Sequence, residues 1–322
     1  MPIVLVGDKT ESPREAVCDA VKRRLDSGDL VWLDIGDPDS NDHDLLVTTF
    51  GIPEECASEA LRLRQRPRIT DLDDDIAMLV LYGISDEVRA PIELHILISV
   101  RFIVTIHAGP LSGLKDAIDA HHRMQAKPVH LTPIIVLHHI VDSMADAYFP
   151  RLAKLDDEID TVEEQIFDTP TDEQLQRLFA MKRELIAMRK VVTPMRDMLG
   201  AVFTGVVELP GFDTEDSGWL RDAYDHMIRI SDLVDSYRDL LTGAMDVYLS
   251  TVSNRLNSVM KQLTVIATVF LPLTFVTGFF GQNFLYLTGH IQRSWSFWVF
   301  GIGIEAAIVL GMLVVFRRRR WL

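Results

Sequence analysis

The chain is poor in cysteine, and its C-terminal part is almost empty of acid. Of 322 residues only Cys18 and Cys56 are cysteines. Two thiols give no disulfide framework and no zinc site of their own. After Asp246 the one acidic residue is Glu305, against seven lysines and arginines, a net +6. The other 25 basic and 46 acidic residues lie in 1–246, a net −21, and the two parts together give the formal −15. An acidic soluble part argues against nucleic-acid binding and suits a surface that meets cations. There is no HEXXH sequence, no phosphate-binding glycine loop and no nucleophile motif, so no enzyme is expected. His138-His139 and His121-His122 are adjacent pairs whose members point to different helix faces, so neither pair makes a metal site alone. The opening Met1 to Asp8 is too short and too early charged for a signal peptide, which predicts that the soluble part is not exported.

What is present is apolar and near the end. Leu263 to Phe280 holds no charge over about 18 residues, near the lower limit for a bilayer core of roughly 30 Å. A short segment, 281–296, leads to a second apolar run from Phe297 to Phe316. Arg317, Arg318, Arg319 and Arg320 follow, and with Lys261 they read as a basic collar. Positive segments stay inside. Both termini are therefore expected in the cytoplasm and Gln282 to Ser296 outside, in a multi-pass protein of the cell (inner or plasma) membrane.

The first apolar helix carries a small or weakly polar row: Asn257, Met260, Thr264, Ala267, Leu271, Thr274 and Gly278. Its other faces show Val265, Ile266, Val269, Phe270, Phe275 and Phe279, which suit lipid or a neighbouring helix. A lipid anchor needs no polar row, so the row reads as pore-lining; the alternative is close approach of two helices. In the second helix Gly303, Ala307 and Gly311 form a small-residue row expected to pack on the first. Glu305 lies in that helix, where carboxylates are costly and either paired or functional. Structural pairing and a part in proton coupling are both open to it.

Upstream, Ile3–Val6, Leu30–Ile35, Ile76–Tyr82, Ile92–Val100 and Phe102–His107 read as strands, with helical patterns between and after them. This predicts an α/β domain over 1–125. Residues 126–218 read as long antiparallel helices, Ile134–Phe167 and Asp172–Phe203, the second kinked or broken at Pro194. Leu220, Tyr224, Met227, Val234, Tyr237, Leu241, Ala244 and Tyr248 then recur near a 3.5-residue period. One helix of roughly 90 Å follows from Trp219 to Phe280: a cytoplasmic stalk over 219–262 and a membrane part over 263–280. Segments 281–296, 297–316 and 317–322 are the outer loop, the second membrane helix and the basic tail. A helix this long needs sister copies to cover its stripe.

Several phrases carry a family resemblance. Asn257 to Asn283 resembles the pore helix of the CorA family of divalent-cation channels. That family closes the helix with Gly-Met-Asn and the chain with a basic cluster and Trp-Leu. Here the positions read Gly281-Gln282-Asn283 and Arg317 to Arg320, then Trp321-Leu322. Asp246-Val247-Tyr248-Leu249-Ser250, Ser253-Asn254 and Arg221-Asp222-Ala223-Tyr224-Asp225-His226 are also similar. The resemblance implies a funnel-shaped homopentamer in the lipid bilayer, passing Mg2+ and possibly Co2+ or Ni2+, and closed by cytoplasmic Mg2+. It implies an ion filter of Gly281, Gln282 and Asn283, although an Asn there also suits a plain helix cap. It further implies that Asp222 pairs across subunits with an acid of the α/β domain, placed at Asp86, to hold regulatory magnesium. A ZntB-like zinc transporter, possibly proton-coupled, is the alternative within transport; a non-conducting membrane-anchored cation sensor or scaffold is the alternative outside it. The outer loop has no acid but has Tyr286, His290 and Arg293; His290 is a surface residue or, as a ring, a softer-metal ligand. Asp156, Asp157, Glu158, Asp160, Glu163 and Glu164 read as a solvated or cation-attracting helix tip.

Overall fold

The computed structural model of the chain describes residues 3–6, 14–73, 75–125, 132–212, 217–282, 289 and 294–319. It divides into two compact units, Met1–Met245 and Asp246–Leu322.

The first unit is built on a six-stranded sheet of order β1-β2-β6-β5-β4-β3. The strands are β1 (Ile3–Val6), β2 (Val31–Gly36), β3 (Arg68–Asp73), β4 (Ile76–Gly83), β5 (Ile92–Ser99) and β6 (Phe102–His107). β1, β2 and β6 pair in parallel, and β6, β5, β4 and β3 antiparallel. β3 went unforeseen because its sequence, RITDLD, lacks a run of β-branched or aromatic residues; it is an edge strand whose acids face water, a common guard against edge pairing. Alternation sorts the side chains. Leu33, Ile35, Met78, Val80, Leu97 and Val104 pack on one face with α2 (Ser40–Phe50) and α3 (Glu54–Leu61). On α2, Asp39 and Asp42 form a capping box and Gly51 closes the helix in the left-handed region, at φ 69°.

Trp32 and Thr105 point to the opposite face, where Trp32 Nε1 donates to Thr105 Oγ1 at 3.1 Å and the indole meets the His121 ring edge-on. His121 belongs to α4 (Ser112–Gln125), which lies against α5 (Pro133–Asp146). Their approach is so close that a Cβ on Gly113 would strike the Ser143 carbonyl and sit 2.6 Å from Met144 Cα.

The expected helix Ile134–Phe167 is two helices, α5 and α6 (Tyr148–Asp168), which meet at Ala147. The expected break at Pro194 is absent: α7 (Asp172–Phe203) runs through it. α6 and α7 bury Leu155, Ile159, Val162, Leu178, Leu185 and Met188. Arg151 donates to Glu184 through Nε and Nη2, at 2.5 and 2.6 Å, in a two-pronged pair. This packing outweighs the cost of one proline.

α8 (Ser217–Phe280) is the long helix. Within the first unit it buries Leu220, Ala223, Met227, Ile230, Val234, Leu241 and Ala244. Ala223 and Ile230 replace Tyr224 and Tyr237 of the expected stripe, both of which are half-buried. The stripe needs no sister copy there, because the chain covers it itself: Tyr224 rests against Gly200, and Arg189 Nε sits 2.8 Å from Asp235.

In the second unit the rest of α8 is largely bare, with Leu249, Leu256, Leu263, Phe270, Leu271 and Phe275 all exposed. After a helical turn at Ser294–Ser296 comes a π-helical stretch, Phe297–Gly303, and then α9 (Ile304–Arg318). The Ile304 amide donates to the Val299 carbonyl, five residues back. The helices Leu220–Phe280 and Phe297–Arg318 are long and apolar enough to cross a membrane by length and composition.

Candidate functional site

Charged and polar chemistry gathers in two places, one in each unit. In the first unit it lies where α5 meets α8. Asp142 and Asp146 are one turn apart on α5, and Asp222 and His226 one turn apart on α8, so each pair shares a face. His226 Nδ1 stands 3.3 Å from Asp142 Oδ1 and 3.9 Å from Asp146 Oδ1. One ligand atom from each of the three lies within 4.8 Å of the others, a spacing that suits a metal ion. The His226 ring sits edge-on to Phe149, 6.0 Å away, and Arg229 lies over the same phenyl ring.

This face is electrostatically coupled. Burial holds the His138 imidazole below its ordinary pKa, while the Asp142 and Asp222 carboxylates pull it back up. Burial, with the Asp142 charge beside it, raises the Asp146 carboxyl. His121 is pushed down to about 4 by burial and by His122 and His139. The two adjacent histidine pairs thus belong to one neighbourhood. The sequence reading picked Asp222 here and missed Asp142, Asp146 and His226 as a group. Their signal was two acid or histidine pairs at i,i+4 on separate helices, which only the fold brings face to face.

Asp86 lies elsewhere in the chain. It is exposed, accepts from Ser112 Oγ at 3.0 Å, and lines a pocket of about 470 Å³ with Glu87, Arg89, Asp116, Arg151 and Lys154.

In the second unit, Asn257, Met260, Thr264, Ala267, Leu271, Thr274 and Gly278 are all exposed along α8. The partly covered row is another one, with Val265, Val269, Pro272, Leu273 and Val276. The Thr264 and Thr274 hydroxyls each donate to the carbonyl four residues back at 2.8 Å, so their oxygens keep lone pairs outward. At the helix end the Gly281 amide donates to Thr277 O at 2.9 Å and the Gln282 amide to Phe279 O at 3.3 Å. Asn283, Tyr286, His290, Arg293, Arg320, Trp321 and Leu322 lie outside the described residues. Arg317, Arg318 and Arg319 are exposed at the end of α9, and Lys261 is half-buried.

α9 corrects one expectation. Gly303, Ala307 and Gly311 are exposed, and the covered positions are Ile304, Glu305, Ile308, Val309, Met312 and Phe316. Bulk rather than smallness fills the contact, and Glu305 finds Thr277 Oγ1 at 3.0 Å.

An α/β domain followed by a helical hairpin, a 64-residue helix and a second apolar helix is the architecture of a full-length CorA-type transporter. It superposes on the complete structure of the CorA magnesium transporter from Methanocaldococcus jannaschii with a TM-score of 0.81, covering 91% of this chain and 92% of that one at 24% identity. The chain belongs to the family described as CorA-like Mg2+ transporter protein, which matches residues 27–318. The cobalt/magnesium transport protein CorA of Thermotoga maritima is 41% identical over 187 residues; the match takes in 58% of this chain and about half, 52%, of that one. The zinc transport protein ZntB of Vibrio parahaemolyticus is 26% identical over 260 residues, covering 79% of this chain and 78% of that protein.

Proposed function

We propose that the chain forms a homopentameric channel passing Mg2+, with Co2+ or Ni2+ as further cargo, into the cytoplasm. Family membership supports the reading, and one observation carries it: the row from Asn257 to Gly278 is bare along its whole length, while a different row of the same helix is partly covered. In a bilayer, a polar row with outward lone pairs is costly against lipid and useful around water. Five copies with this row turned inward line a hydrated path. Gly281, Gln282 and Asn283 form the filter at its outer end. Magnesium dehydrates reluctantly, so a ring of neutral Asn283 amide oxygens suits the hydration shell without a ring of acids. Lys261 and Arg317 to Arg320 form the basic collar on the cytoplasmic side, where both termini lie.

Gating belongs to the soluble unit. Asp222 meets Asp86 of a neighbouring copy, and a divalent ion between them cancels their repulsion and holds the ring closed. The Asp142, Asp146 and His226 group, on the same face as Asp222, extends that sensor. Its histidine favours a softer ion and gives the zinc reading a specific footing.

The test is flux into liposomes that enclose a magnesium-sensitive dye, with Zn2+ and Co2+ in parallel arms. Uptake of Mg2+ that rises when internal Mg2+ is withdrawn is expected. Absence of flux for every ion leaves a cation sensor or scaffold as the better account; zinc uptake without magnesium uptake favours the zinc transporter.

A further inference from the structure

Four arginines stand at alternate positions in Arg62-Leu63-Arg64-Gln65-Arg66-Pro67-Arg68, within a part of the chain whose net charge is −21. The segment links α3 to β3. Arg62, Arg64 and Arg66 are exposed, while Leu63, Gln65 and Pro67 are half-buried, as expected where alternate side chains of an extended segment face opposite ways.

The loop is held from beneath. Arg64 takes φ 79°, an uncommon value for a residue with a side chain. Its amide and that of Gln65 both donate to the Glu93 carboxylate, at 2.5 and 2.7 Å. Glu93 is braced in turn by fully buried His95, whose other ring nitrogen meets the Ala60 carbonyl at 2.6 Å. The Gln65 side chain donates to the Glu59 and Arg62 carbonyls, and the Tyr82 hydroxyl to the Gln65 carbonyl. A strained backbone fixed by this many bonds is preorganised rather than loose.

Arg62, Arg64 and Arg66 make no ion pair among the described residues. Arg68 pairs with Glu59 and Gln65, yet its Nε is buried with no hydrogen-bond partner. The four guanidinium groups line a concavity of about 1120 Å³, into which the chain itself brings only Glu55 and Glu59 as countercharges. The lining is therefore net positive by two charges.

We propose that this loop binds the phosphate groups of a small oligophosphate, either a nucleoside di- or triphosphate or free pyrophosphate. The guanidinium fork matches phosphate oxygens two at a time. Alternate positions of an extended chain are about 7 Å apart, so one inorganic phosphate reaches two arginines at most and a chain of phosphates reaches three. The site is independent of the pore and of the acidic face on α5 and α8.

The experiment is calorimetry on the full-length protein in detergent, with EDTA present so that metal sites stay silent. Inorganic phosphate, pyrophosphate, ATP and adenosine are titrated in turn. Pyrophosphate and ATP are expected to bind at least ten-fold more tightly than phosphate, and adenosine not at all; ATP tighter than pyrophosphate identifies a nucleotide site. The exposed triple variant Arg62→Ala, Arg64→Ala, Arg66→Ala is expected to lose that binding about ten-fold or more with its circular dichroism unchanged, while Asp222→Asn retains it. No heat from pyrophosphate or ATP at millimolar concentration overturns the proposal. So does equal binding by wild type and triple variant. A triple variant that binds normally but changes oligomeric mass overturns it too, and assigns the arginines to an acidic face of a second copy.

Discussion

Thr277 and Glu305 are joined between the two apolar helices, with Thr277 Oγ1 3.0 Å from Glu305 Oε1. The same oxygen is 2.6 Å from the Leu273 carbonyl, and one hydroxyl, with a proton and two lone pairs, serves both neighbours. Of the two roles open to Glu305 from its sequence position, pairing is the one with a partner in the structure. Thr277→Val removes that partner and leaves a carboxyl alone against apolar surroundings. A loss of about 0.6–2 kcal/mol is expected, the range of interhelical hydrogen bonds in membranes. Glu305→Gln, which still bonds the hydroxyl, should lose less. Thermal unfolding in lipid nanodiscs checks this; a Thr277→Val midpoint equal to wild type counts against the bond.

Asn283→Ala takes away the proposed ring of amide oxygens. Selective Mg2+ uptake should fall at least ten-fold while the oligomer stays assembled, as read by liposome flux and native mass. Wild-type flux with wild-type selectivity refutes the filter assignment.

Met260 and Leu271 are the bulky apolar members of an otherwise small or polar row, and apolar rings close pores by dewetting. Met260→Asn and Leu271→Asn should each raise basal leak in planar-bilayer recordings. Two silent variants place the row against lipid instead.

Magnesium should protect the soluble unit from limited proteolysis. Asp222→Lys puts a fixed cation on the α5–α8 face and is expected to give protection without magnesium. Asp142→Asn together with His226→Ala removes two of three ligands and should raise the magnesium needed for half-protection several-fold. Protection identical in all variants sinks the sensor.

His121 gives the soluble unit an acid-sensitive element. Its side chain is buried between Trp32 and α5, and its pKa of about 4 lies below the ordinary histidine value. A base held neutral by the fold contributes stability that is present above its unfolded pKa of about 6.5 and is lost as pH falls toward 4, on the order of 3 kcal/mol in all. Denaturant midpoints should therefore drop between pH 6.5 and 4. His121→Phe, which keeps the ring contact and has no proton to take up, should flatten that part of the profile.

Much of this was legible in the sequence, and the failures have physical causes. The two apolar helices and five of six strands follow from periodicity and length. Pro194 misled because its local cost is set against a whole face of α7 that the sequence does not show as buried. The α8 stripe misled in a similar way: its period is visible, but what covers it is not, and α5 to α7 cover the lower part. The acidic face was half legible. Asp222 came from a resemblance, whereas Asp142, Asp146 and His226 meet only because two helices separated by some 80 residues of chain lie side by side.

The π-helical stretch Phe297–Gly303 sets the phase of everything after it. Its bond from Ile304 to Val299 spans one residue more than an α-helical bond does. Removing a single residue there would let the stretch relax to an ordinary α-helix with hardly any change in length. It would also turn the following segment by about 100°, one residue's share of a turn. Ile308, Met312 and Phe316 would rotate out of cover, and Glu305 would swing away from Thr277. The extra residue acts as a key cut: it decides which edge of the helix meets its neighbour, and a one-residue deletion should be far more damaging than most substitutions at the same positions.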